Sequence, residues 1–196
     1  MNISIIILAA GQSSRMGRIK QLLPYEKSTL LEVTIHNALA SKANNVYCVL
    51  GANSGLIKKE IKEPEVTFIN NPNWKSGLSS SIVSGIKHLQ TLKEHSDAVL
   101  ITLADQPHVD SAYIDSLINL YQDNQGEIIA SAYENKKGVP AIFPITIIDK
   151  LLKLEGDKGA KSFLNNSEYN IITLELESFQ IFRDIDTPED YKKLFK

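Results

Sequence analysis

A chain of 196 residues, 43% of them hydrophobic and 22% charged, has the size and balance of one well-filled globular domain, read here as spanning 1–196. Lys and Arg total 21 against 23 Asp and Glu, a formal charge of -2, which excludes the basic excess of a nucleic-acid binder and predicts that any anion is handled locally. Cys48 is the only cysteine, so an internal disulfide and a cysteine zinc cluster are excluded and a reducing compartment is expected.

The first apolar run, Ile3 to Ala10, lacks a basic leader, is too short to span a bilayer and runs into a Gly/Ser/Arg loop, so the chain reads as soluble and cytoplasmic, with no membrane partner. Further strands are expected at Asn45 to Leu50, Val66 to Asn70, Ala98 to Leu103, Ile128 to Tyr133 and Ile171 to Leu176. Several are apolar enough to be buried on both faces. Between them lie helical patterns. Thr29-Leu30-Leu31-Glu32 is a capping box, followed by Leu31, Ile35, Ala38 and Leu39 on one face. After Asp110, a second helix shows Ile114, Leu117, Ile118 and Tyr121 at helical spacing, and Thr187-Pro188-Glu189-Asp190 sets a cap and an N1 proline for a last helix. The alternation predicts an α/β, Rossmann-like, mostly parallel sheet with helices on both faces.

Directly after the first strand comes Leu8-Ala9-Ala10-Gly11-Gln12-Ser13-Ser14-Arg15-Met16-Gly17, followed by Lys20. In a parallel sheet ligands collect beyond the carboxyl ends of the strands, and small residues let backbone N–H groups approach phosphate oxygens. Arg15 and Lys20 add two cations suited to the charge that grows on a leaving pyrophosphate. Taken singly, either cation is more readily a solvated surface charge. Gly17 is followed by Arg18 rather than Lys-Ser/Thr, and no Gly-x-Gly-x-x-Gly is present, which disfavours a P-loop NTPase and a dinucleotide oxidoreductase.

A second island, Leu103-Ala104-Asp105-Gln106-Pro107, sits at the end of an apolar strand and projects Asp105 at the same edge. Magnesium takes few carboxylates plus phosphate and water oxygens, so one strand-end Asp with a second acid is adequate. Asp184 and Asp186 fall on one side of an extended Arg183–Pro188 segment, and either fits; an Asp before Thr-Pro also serves as a cap. Between the islands, Asn71 to Ser81 joins Gly77, which can admit a base, to hydroxyls that can bond its edge; a Ser-rich helix start is the plainer reading.

The first loop, with its downstream Lys20 and Leu22-Leu23-Pro24, closely resembles the signature of the MobA-like nucleotidyltransferases, especially the MocA-type molybdenum cofactor cytidylyltransferase branch. Leu-x-Asp-Gln-Pro, Asp-Ile-Asp-Thr-Pro, the Asn71–Ser81 segment, Gly138-Val139-Pro140 and Gly156-Asp157-Lys158-Gly159-Ala160-Lys161 extend the likeness over nearly the whole chain in order. The resemblance implies a nucleotide-diphospho-sugar transferase-like fold and NMP transfer from an NTP to a small phosphorylated acceptor. It implies catalytic roles for Arg15, Lys20 and Asp105, and a nucleotide site of Leu8, Ala9, Ala10, Gly11, Ser13, Ser14, Arg15, Lys20, Asn71, Gly77, Ser79 and Ser81. Asp105 and Asp186 would hold Mg2+, and Gly138, Pro140 and Lys158 would meet the acceptor. Ala10 points to CTP, because guanylyltransferase relatives usually carry Gly there; the implied acceptor is molybdopterin, with a molybdoenzyme as recipient. Val139 stands where relatives often have His and Lys161 where Arg is common, and both bear on acceptor choice. Guanylyl or sugar-phosphate nucleotidyl transfer, a dinucleotide-dependent oxidoreductase and a non-catalytic cofactor carrier are the alternatives.

Overall fold

The computed structural model describes residues 1–93, 95–133, 136–175 and 184–195. In chain order the strands and helices are β1 (Ile3–Ala9), the two-residue strands β2 (Pro24–Tyr25) and β3 (Ser28–Thr29), α1 (Leu30–Leu39), β4 (Asn45–Leu50), α2 (Ser54–Glu60), β5 (Val66–Asn70) and α3 (Leu78–Gln90). They continue with β6 (Ala98–Leu103), α4 (Ser111–Asp123), β7 (Ile128–Tyr133), β8 (Lys136–Pro144), α5 (Ile148–Leu151), α6 (Lys161–Leu164), β9 (Ile171–Glu175) and α7 (Pro188–Lys193). Among the described residues seven strands form one sheet in the order β5-β4-β1-β6-β8-β7-β9.

Residue chemistry accounts for the sheet's centre. Every residue of β1 is buried, and its parallel neighbours β4 and β6 are almost equally apolar, because helices cover both faces there. On one face Ile3, Ile5 and Ile7 pack with Leu31 and Ile35 of α1, Ile57 of α2 and Ile114 and Leu117 of α4. On the other, Ile6 and Leu8 meet Ile82 and Ile86 of α3, Leu151 of α5 and Leu164 of α6. Alternate residues of one strand thus feed opposite layers, each such side chain worth about 1.5–3 kcal/mol on burial.

The helix starts follow their signals. Glu32 N–H donates to Thr29 Oγ1 at 3.3 Å and Thr29 N–H to Glu32 Oε2 at 3.1 Å, completing the capping box of α1. Asp110 Oδ1 accepts from Tyr113 N–H at 2.8 Å, and Thr187 with Asp190 caps α7 in the same reciprocal way.

Two strand expectations change. β9 runs Ile171–Glu175, and Leu176 lies outside the described residues, as does Arg183. Lys136–Pro144, quoted in the sequence only as an acceptor motif, is a long strand antiparallel to both β6 and β7. Its pairing with β7 passes from Ala130↔Ala141 to Ser131↔Gly138, so Val139 and Pro140 bulge out of register. A bulge tolerates a proline that has no N–H for the ladder, and it re-aims a side chain. The Val139 side chain is turned into a cavity described below.

Candidate active site

Beyond the carboxyl ends of β1 and β6 lies a cleft of about 490 Å³, the size of an ordinary small-molecule site. The loop after β1 forms one wall. Ser13 (φ 58°) and Gly17 (φ 63°) adopt left-handed conformations on either side of the short 3-10 turn Ser14–Met16, folding the loop back over the sheet. Gln21, almost wholly buried, holds it there: Nε2 donates to the carbonyls of Ala9 at 2.8 Å and Gly11 at 3.0 Å. Met16 is pinned in a small cluster with Leu23, Tyr25, Leu30 and Ile185, which also draws in the segment before α7.

That segment brings the second acid. Ile185 N–H donates to the Asp105 carbonyl at 3.3 Å, placing Asp186 beside Asp105. Lys20 Nζ lies 2.6 Å from Asp105 Oδ2 and 3.3 Å from Asp186 Oδ1, and Arg15 Nη2 is 2.9 Å from Asp186 Oδ2. The Lys20 and Asp105 side chains are only 16% exposed, against 69% for Arg15. Burial works against the Lys20 charge, but the Asp105 and Asp186 carboxylates outweigh it and hold the ammonium above the usual lysine range.

Two carboxylates converging on one cation suit Mg2+, whose other positions go to phosphate and water oxygens. Among the described residues no group of three or more His, Cys, Asp or Glu could hold a metal unaided. The donor set therefore fits a hard cation that arrives with phosphate.

Asp186, not Asp184, lines the cleft with Asp105. Asp184 turns to a second cavity and accepts from Gln106 Nε2 at 2.9 Å. Although Asp184 is open to solvent on one side, its carboxyl is pushed up to about 6, first by the burial around it and then by the Asp105 charge.

Leu8, Ala9, Ala10, Gly11, Ser13, Ser14, Arg15, Lys20, Gly77 and Ser81 all line the cleft. Asn71 and Ser79 do not. Asn71 is fully buried, its Nδ2 donating to Ser80 Oγ at 2.9 Å and Ser81 Oγ at 3.1 Å, and its Oδ1 accepting from Asn73 N–H at 2.9 Å. Ser79 Oγ donates to the Glu155 carbonyl at 3.1 Å. Both shape the wall from behind, because every polar group they offer is used within the protein.

The second cavity, about 150 Å³, adjoins the first and shares Leu8, Leu78, Leu103 and Asp157 with it. Gly138, Val139, Lys158 and Lys161 line it. Pro140 is displaced from this role: it is buried in the bulge, where its carbonyl accepts from Ser131 Oγ at 2.6 Å. Sequence reasoning did not single out Gln21, Trp74, Leu78, Gln106 or Asp157 as site residues. Trp74 carries a signal in retrospect, for it stands next to a glycine-rich helix entry and packs where a Cβ on Gly51 would approach to 2.5 Å.

The family model described as the MobA-like NTP transferase domain matches residues 5–171. The chain belongs to the MobA-like NTP transferase family. This MobA-like chain is 28% identical to the nicotine blue oxidoreductase of Paenarthrobacter nicotinovorans, over 96% of its own length and 94% of that relative. It is 27% identical to the molybdenum cofactor cytidylyltransferase of Escherichia coli (strain K12), over 96% and 93%. Among solved structures, Rv0371c of Mycobacterium tuberculosis H37Rv superposes with a TM-score of 0.84 at 26% identity, covering 99% of this chain and 98% of that one. The α/β architecture read from the sequence is the architecture of this MobA-like fold. No helix among its described residues is long and apolar enough to cross a membrane.

Proposed function

We propose that this transferase moves a nucleoside monophosphate from an NTP, CTP by preference, to the phosphate of a small acceptor, molybdopterin, releasing pyrophosphate. The observation that carries the reading is the convergence of Asp105 and Asp186 on Lys20 at the foot of the first loop. Nothing in an ATP-hydrolysing P-loop or a dinucleotide site asks for that arrangement.

In this reading the triphosphate lies along the Ala9–Ser14 backbone, with Arg15 and Lys20 on the phosphates. An acceptor phosphate oxygen attacks the α-phosphorus; a new P–O bond forms as the bond to the β-phosphate bridging oxygen breaks, and pyrophosphate carries away the electron pair. The nucleophile is already ionised, so no general base is needed. Arg15 and Lys20 neutralise the charge that builds on the leaving group, and the Gly11 loop with Gly77 fixes the geometry of approach. Magnesium, held by Asp105 and Asp186, supplies charge neutralisation at the phosphate oxygens. The neighbouring cavity takes the acceptor.

The likeness to the cytidylyltransferase, together with Ala10 in the cleft wall, supports CTP and molybdopterin. The likeness to a protein named an oxidoreductase sustains a second reading, transfer of reducing equivalents from a bound dinucleotide. A pyrophosphate-release panel of four NTPs with Mg2+, against molybdopterin and sugar 1-phosphates, tests the proposal. Release only with CTP and molybdopterin is expected; thermal stabilisation by NADPH and none by any NTP with Mg2+ would move the protein to the second reading.

A further inference from the structure

The acceptor cavity contains a polar atom that the protein leaves unmet. Gln106 is 3% exposed and lines that cavity, and its Nε2 is committed to Asp184. Its other end is not: Oε1 is buried and has no hydrogen-bond partner. A buried acceptor without a donor costs about 1–3 kcal/mol and is rare in native proteins. Asp184 fixes which end of the carboxamide is free, because a carboxylate accepts from the NH2 group and leaves the oxygen as the exposed chemistry.

The rest of the lining limits what could supply the missing donor. Leu78, Ile82, Ile101, Leu103, Val139 and Leu164 give the cavity apolar walls, and the bulge in β8 is what turns Val139 inward. A polyhydroxylated sugar would bury several hydroxyls against those walls for one acceptor; a flat heterocycle buries its faces there and presents an edge. Lys158 and Lys161 belong to the same lining.

We infer that Gln106 determines acceptor specificity, with its Oε1 accepting a ring N–H from a flat heterocyclic acceptor held between the apolar walls. This rests on the transferase reading above and names the chemical class its second cavity takes. Gln106 stands outside the nucleotide cleft, so its effect is confined to acceptor binding.

The test is a fluorescence titration of the full chain with neopterin and with a pterin whose exchangeable ring N–H groups are methylated, in wild type and in Gln106→Met. Wild type should prefer neopterin by about tenfold, one net hydrogen bond, and the preference should vanish in Gln106→Met. The variant should melt at or above the wild-type temperature, since an orphaned acceptor is gone, and keep the wild-type thermal shift with CTP and Mg2+. A purely structural glutamine would instead lower the melting point and leave ligand preference untouched. Equal preference in the two proteins, no binding of neopterin by wild type, or binding of glucose 1-phosphate instead overturns the inference. Loss of the CTP shift in wild type is a separate result, which would sink the transferase reading itself.

Discussion

Gly77 and Asp157 interlock. A Cβ on Gly77 would run into Asp157 Oδ1 and come within 2.6 Å of the Gly156 backbone, and Gly77 has φ 95°. This close approach joins the start of α3 to the 3-10 segment Gly156–Lys158, and both Gly77 and Asp157 line the nucleotide cleft.

Gly77→Ala should therefore do two things at once. It adds strain of about 1–3 kcal/mol at a positive φ, and it pushes Asp157 and Lys158 outward. A lowered melting temperature together with weaker nucleotide binding by titration is expected; a drop in stability with unchanged binding would confine the contact to the scaffold.

Lys20 stands between Asp105 and Asp186, where a metal ion would also be attracted. Replacing it in Lys20→Met leaves two carboxylates facing each other without their cation. Mn2+ used alone as a spectroscopic probe should bind the variant more tightly than wild type, whereas NTP binding should weaken, because the phosphates lose a cation. Electron paramagnetic resonance for the metal and calorimetry for the nucleotide measure the two effects separately.

Asp105→Asn should reduce pyrophosphate release at least about a hundredfold with little change in melting temperature. The same variant decides against a non-catalytic carrier: a cell relying on the protein for delivery alone would tolerate it, and a cell relying on turnover would not.

The Tyr113 hydroxyl donates to Ser131 Oγ at 2.7 Å, and Ser131 passes the chain on to Pro140 in the β8 bulge. Burial, partly opposed by the Ser131 bond, pushes the phenol up to about 12 from 10.0. A raised pKa in the folded state means that the unfolded chain ionises first. The stabilisation is complete below pH 10.0 and is lost as pH rises through about 12. Tyr113→Phe should be less stable at neutral pH by about 1 kcal/mol and should lack that part of the alkaline decline, measured as the difference between two denaturation series.

Most of the sheet was legible because central strands buried on both faces must be continuous apolar runs, and β1, β4, β5 and β6 fall within a residue of the segments read from the sequence. β8 was not, because Lys136 and Lys137 open it and Pro140 interrupts it; only tertiary pairing, with a bulge, makes such a segment a strand. The four-residue helices α5 and α6 are too short to show a period. At the site, charged residues in glycine-rich loops announced themselves, whereas Gln21 and Gln106 did not. A glutamine's role depends on which carbonyl or carboxylate it meets, and those partners are brought by folding.

The ion pairs of the cleft also set an order of events. Arg15 and Lys20 pair with Asp186 across sequence separations of 171 and 166 residues. During synthesis the phosphate-binding loop is made early and its opposing acid late, so a growing chain holds a cradle of uncompensated positive charge for most of its elongation. Docking the late segment through Ile185 against Met16 and Leu30 is what cancels that charge. Nucleotide chemistry is thus withheld until the polypeptide has closed on itself, and an unfinished chain cannot consume the nucleotide that it can already attract.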